Sequence, residues 1–163
     1  MVPCWRGLLV VLVLLGGAAS AQSYAGVSAG LPIVFVSGHL GFEDLIAPAV
    51  DVRINLGGAA LWGGGGGVFG VALSADVLWR FVSEEARRWT PYAGSGAGMF
   101  AVGGGGGGSV DVGFGAMGSV IGGVDFDLGE LAMFGELRGD LLWGFGAGFI
   151  GFPGIRLGVK FPW

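Results

Sequence analysis

The sequence is poor in the side chains from which most sites are built. Its one cysteine, Cys4, lies within the first 21 residues, and its one histidine is His39. The rest of the chain therefore offers no disulfide and no thiolate, and a lone histidine makes no multi-histidine metal site; no metal and no other cofactor is expected. Charge is scarce as well, since Asp, Glu, Lys and Arg make up 12% of the residues, about half the fraction of a soluble domain. What charge there is leans acidic, at −4, which excludes the basic stripe that supplies affinity for nucleic acid. Past residue 21 no apolar run approaches the roughly 20 residues that a membrane-crossing helix needs. Yet 53% of the residues are hydrophobic, and 38 glycines argue against long helices. Such a chain can cross a membrane by one other route, in extended segments that close on one another and so satisfy every backbone group.

Residues 1–21 read as a secretory signal peptide. Arg6 gives a basic start, residues 8–15 an apolar stretch, and Ala19-Ser20-Ala21 a small-residue cleavage site. Cleavage is expected before Gln22, which leaves residues 22–163 as one domain in an oxidising compartment, with no lipid-anchoring cysteine.

Period-two alternation runs through that domain. Val50, Val52, Ile54 and Leu56 point one way and Asp51, Arg53 and Asn55 the other. Phe69, Val71, Leu73, Ala75, Val77, Trp79 and Phe81 form an unbroken apolar face whose reverse holds Gly70, Ala72, Ser74, Asp76, Leu78 and Arg80. From Phe69 to Trp79, at about 3.3 Å per residue and a tilt near 45°, this run covers roughly 25 Å of membrane normal. Strands are predicted at 24–31, 33–42, 48–57, 68–81, 90–102, 109–125, 131–142 and 154–163. The fold class is therefore all-β, an eight-stranded antiparallel up-and-down transmembrane β-barrel. Polar connections at 42–45, 83–88 and 127–130 read as short periplasmic turns, and the glycine runs at 63–67, 103–108 and 144–148 as the outer loops.

Alternation alone does not say which face looks inward, because a soluble lipocalin-like ligand carrier alternates with its apolar side in. Asp51, Arg53, Asp76, Arg80, Asp111, Glu136, Arg138, Asp140, Arg156 and Lys160 share the less apolar face of their strands. Turned to lipid near the midplane, each basic one would cost roughly 2–4 kcal/mol. Turned to the lumen of a narrow barrel, they pair and fill it as a charged network, plugged or nearly so. Aromatics gather at two levels: Trp79, Phe81, Trp89, Tyr92, Phe126 and Trp163 toward the periplasmic side, and Trp62, Phe69, Phe100 and Trp143 toward the outer one. Two such belts are what headgroup regions select.

Other motifs carry less. His39 with Ser37 would give the base and nucleophile of a barrel-embedded lipid-modifying enzyme, but no serine stands in a nucleophile motif, and a polar side chain near the membrane boundary is the plainer reading. A non-enzymatic protein is expected. Arg138-Gly139-Asp140 spells an adhesion tripeptide, yet it lies mid-strand with both charges inward. The glycine runs satisfy G-x-G-x-x-G, but neither Lys-Ser/Thr nor a strand–helix context follows.

The final strand is the most specific. Ile155, Leu157, Val159, Phe161 and Trp163 fall on one face and Arg156, Gly158, Lys160 and Pro162 on the other. The spacing of Arg156, Gly158, Phe161 and Trp163 resembles the C-terminal signal by which bacterial outer-membrane barrels are recognised for assembly. With it, the chain resembles the small OmpA/OmpX-like outer-membrane β-barrels, without a peptidoglycan-binding domain. That resemblance implies export across the inner membrane, periplasmic chaperones, insertion by the barrel-assembly machinery into outer-membrane lipid, and a structural or weakly pore-forming role in the cell envelope. A protein partner strand-paired at the glycine-rich barrel rim is the interaction alternative.

Overall fold

The computed structural model describes residues 22–31, 35–63, 66–82, 88–106, 109–144 and 148–163 and, within them, the side chains outside 61–66 and 106–110. The signal peptide expected at 1–21 lies outside the described residues. Eight strands follow one another: β1 (Ser23–Leu31), β2 (Phe35–Ala47), β3 (Val50–Gly63), β4 (Gly66–Arg80), β5 (Trp89–Gly106), β6 (Ser109–Asp127), β7 (Ala132–Gly144) and β8 (Gly148–Pro162). Each pairs antiparallel with the next, and β8 returns to β1, closing the barrel. No described helix is long and apolar enough to cross a membrane.

Strand ends depart from the sequence expectation in two ways. The turn expected at 42–45 belongs to β2, which bulges between Phe42 and Ala47, and the chain reverses at Pro48-Ala49. Asp44 and Ala49 both take positive φ, and the Asp44 carboxylate accepts the Ala49 N–H at 2.6 Å, which ties the bend together. The glycine runs expected as loops are largely strand: β3 and β4 stay paired up to Gly63 and Gly66, and β5 and β6 up to Gly106 and Ser109. A partner strand on each side supplies the bonds and outweighs glycine's weak intrinsic preference.

Glycine has a second use inside the barrel. The residue paired with a large inward side chain is repeatedly a glycine: Gly26 opposite His39, Gly41 opposite Tyr24, Gly96 opposite Asp76, Gly123 opposite Tyr92 and Gly158 opposite Phe134. At Gly158 an added Cβ would stand 2.5 Å from both the Phe134 ring and the Val27 carbonyl oxygen. Eight strands enclose little room, and alternating large with absent side chains lets rings and guanidiniums lie flat across it.

The faces sort cleanly. Leu56, Val120, Leu137 and Leu157 on the outside are each more than 60% exposed, whereas Arg53 and Asp76 inside are at 0%. A soluble barrel would reverse this order.

The upper rim, opposite the termini, is uneven. The β1–β2 hairpin stops at Gly30 paired with Phe35, while β8 continues on β7 up to Gly148 and β3 continues on β4 up to Gly63. Among the described residues β8 has no β1 partner from 148 to 154, and β3 has no β2 partner from 60 to 63.

Candidate functional site in the barrel lumen

Alternation places one polar residue from each of several strands at mid-height, and register brings them into contact. Arg53 of β3 donates to Asp76 of β4 through Nε at 3.2 Å and Nη2 at 2.9 Å, and its Nη1 forms an ion pair with Glu136 of β7 at 2.5 Å. Arg138 reaches the same Asp76 from the far wall at 3.1 Å and also pairs with Asp140 at 3.2 Å. Asn55 donates to Asp76, Tyr92 to Glu136, and Arg138 to the Ser119 hydroxyl, which in turn donates to Asp140. Asp76 thereby serves two guanidiniums and an amide, a geometry in which each buried charge meets its opposite.

Below this knot the lumen is closed by rings. Lys160 bonds Asp125 at 2.7 Å, with its ammonium over the Tyr24, Tyr92 and Phe134 rings at 4.7, 5.4 and 5.6 Å from their centroids. At the lower rim Arg80 gathers Glu43, Asp44 and Asp51 at 3.1, 2.7 and 3.0 Å and fixes the β2 bulge.

Above the knot the character changes. A cavity of about 300 Å³ opens there, walled by Phe35, Val68, Phe100, Val102, Leu142 and Phe152 and floored by Arg138, Asp140 and Arg156. Arg156 is buried, stands over the Phe35 ring, and makes one hydrogen bond, to the neutral Asn55 oxygen at 3.3 Å. Among the described residues it lies within ion-pair distance of no carboxylate, unlike Arg53, Arg80, Arg138 and Lys160.

Of the charged residues singled out in the sequence, Asp51, Arg53, Asp76, Arg80, Glu136, Arg138, Asp140, Arg156 and Lys160 point into the lumen. Asp111 does not join them: it is exposed, on a part of β6 above Gly115, where pairing with β7 ends, so its inward parity leads to an open rim. Among the aromatics, Trp79, Phe81, Trp89, Phe126, Trp143 and Trp163 are exposed on the outside, as is Phe69. Tyr92 is corrected from belt to lumen, since it is buried and spends its hydroxyl on Glu136. Phe100 likewise faces in, its ring filling the place of a Gly115 side chain. The Trp62 side chain lies outside the described residues. In the assembly-signal positions, Arg156 and Gly158 face the lumen side, while Phe161 and Trp163 are exposed.

The pair needed for a lipid-modifying enzyme is not assembled. Ser37 is bonded to Ser28 at 2.7 Å, and neither ring nitrogen of His39 has a partner among the described residues; its imidazole lies edge-on to Tyr24 and Phe134. Asp125, Tyr24, Asn55 and Ser119 complete the network without having been singled out as site residues, because single polar residues show no motif until register places them.

No protein-family model matches the chain, and no curated protein matches it in sequence. Solved structures do match in fold. Neisserial surface protein A aligns with a TM-score of 0.68 at 11% identity, over 86% of this chain and 94% of that one. The N-terminal β-barrel domain of Pseudomonas aeruginosa OprF gives 0.64 at 17%, over 88% and 96%. A major outer membrane protein from Thermus thermophilus gives 0.61 at 16%, over 88% and 100%. The fold is that of the small eight-stranded outer-membrane β-barrels, consistent with the OmpA/OmpX-like architecture.

Proposed function

We propose that the protein is an integral barrel of a bacterial outer membrane, with a structural role in the envelope and a lumen closed to ions. The observation that carries this reading is the division of faces: exposed leucines, valines and phenylalanines girdle a closed barrel whose arginines and aspartates are turned inward. Lipid is the solvent that such an outside requires. The knot around Asp76 and the rings around Lys160 leave the middle and lower lumen filled, so a conducting path would require the ion pairs to exchange partners. A lipocalin-like carrier needs the opposite arrangement of faces, and the unassembled Ser37–His39 pair favours a non-enzymatic protein. On this reading outer-membrane lipid is the principal partner, and the Arg156, Gly158, Phe161 and Trp163 pattern is the mark read by chaperones and the barrel-assembly machinery.

Fractionation followed by gel electrophoresis with and without boiling tests the placement. The expected result is recovery in the outer-membrane fraction, with faster migration of the unboiled protein; recovery in the periplasmic extract without detergent would refute it. Planar bilayers test the closed lumen, where a stable, salt-dependent current would refute it.

A further inference from the structure

The upper chamber is a part of the lumen that the structural role does not explain. Its wall is apolar and its floor carries Arg156. We propose that this chamber binds a single medium-chain fatty acid, with its carboxylate on Arg156 and its chain along the apolar wall. The proposal goes beyond the structural reading and rests on it only for the supply of fatty acid from the surrounding lipid.

Three features select this ligand. The first is charge. Arg138 and Asp140 on the floor already answer each other, but Arg156 at 7% exposure has only a neutral oxygen as partner, leaving the rest of its five N–H donors without a protein acceptor among the described residues. A buried guanidinium in that state favours an anion that can take two parallel bonds, which a carboxylate does. The second is size. A dry cavity of about 150 Å³ holds a benzene ring, so one twice as large suits a chain of about twelve carbons. The third is the lining strand. Among the described residues β8 from 148 to 154 pairs with β7 alone and contains Pro153, a residue tolerated where a strand edge is unpaired, so this stretch of the wall can give way to an entering chain.

The test uses the full barrel in phosphatidylcholine nanodiscs, with a dodecanoate carrying a terminal diazirine as the photolabel and unlabelled dodecanoate as competitor. Labelling is expected on chamber residues such as Phe100, Met117 or Leu142, and competition is expected to be saturable. Arg156→Gln is expected to weaken binding by about ten- to a hundred-fold, the worth of a charged hydrogen bond. Dodecanol with the same diazirine is expected to bind wild type and Arg156→Gln alike. Ala72→Trp fills the chamber from its wall and is expected to abolish labelling; Met117→Trp is expected to do the same should that variant not fold, as judged by heat-modifiable migration. Equal labelling of all variants, label confined to outward residues such as Leu56 and Leu73, or no preference for the acid over the alcohol would overturn the proposal. Recovery of the protein from a soluble fraction would overturn the membrane placement but not carboxylate-dependent labelling of the chamber.

Discussion

Removing Asp76 probes the lumen most directly, because that carboxylate is fully buried and accepts from Arg53, Arg138 and Asn55 together. In Asp76→Ala, Arg53 keeps Glu136 and Arg138 keeps the partly exposed Asp140, but each guanidinium loses one of its two carboxylate partners while remaining inside the barrel. Breaking a buried pair in this way costs about 3–5 kcal/mol, which measures uncompensated charge and not the net worth of the network. With a urea dependence of about 2 kcal/mol per M, the unfolding midpoint falls by about 2 M. The assay is a urea titration of vesicle-inserted protein followed by tryptophan emission. Asp44→Asn is the reference: it keeps an oxygen for the Ala49 N–H and tolerates the positive φ, and it removes only the charge of an ion pair with Arg80 at the rim, where the side chain is 55% exposed, so the loss is about 1 kcal/mol or less. If Asp76→Ala shifts the midpoint no more than Asp44→Asn, with the same slope, the two guanidiniums are hydrated and the lumen is an aqueous path, not a filled one.

Three further outcomes follow from the same geometry. Leu137→Arg, on the outer face near mid-strand, is expected to destabilise the vesicle-inserted barrel by roughly 2–4 kcal/mol, and a neutral result in the same titration would mean that water, not lipid, covers that face. Gly94→Ala brings a Cβ against the Val77 carbonyl oxygen and within 2.8 Å of Leu78 Cδ2, and is expected to cost about 1–3 kcal/mol, whereas Gly122→Ala on the outer face, with nothing within 4 Å, is expected to change stability by less than about 0.5 kcal/mol. Tyr92→Phe strips a 2.8 Å hydrogen bond from buried Glu136 and is expected to cost about 1–3 kcal/mol; a membrane-interface position for Tyr92 predicts almost no change.

The lower half of the barrel was legible because its two faces differ. Asp51, Arg53 and Asn55 alternate with Val52, Ile54 and Leu56, and a period of two needs no knowledge of neighbours. Which carboxylate serves which guanidinium was not legible, since Arg53 to Glu136 and Arg156 to Asn55 are set by the stagger of strands far apart in sequence. Tyr92 looked like a belt residue because an aromatic near a strand end satisfies that pattern on either face. Its parity is fixed only by pairing with Gly123, across which its ring lies. The β2 bulge was hidden for a related reason: Glu43 and Asp44 have the composition of a turn, and only their contacts with Arg80 show why they belong to a bent strand.

The upper half erases the signal altogether. Val68 and Phe69, Ala101 and Val102, and Leu141 and Leu142 are neighbours on opposite faces, all apolar, so alternation there carries no direction. Direction is inherited from below: once Asp76, Tyr92 and Arg138 face in, the period of two forces Val68, Val102 and Leu142 inward as well. A wall apolar on both sides cannot be explained by lipid outside and a salt-bridge network inside. Its inner surface must either pack against itself or meet something apolar, and at this height it lines a cavity in place of a core. The same sequence therefore specifies two compartments in one barrel, a charged knot in which distant strands meet and a greasy chamber resting on Arg156.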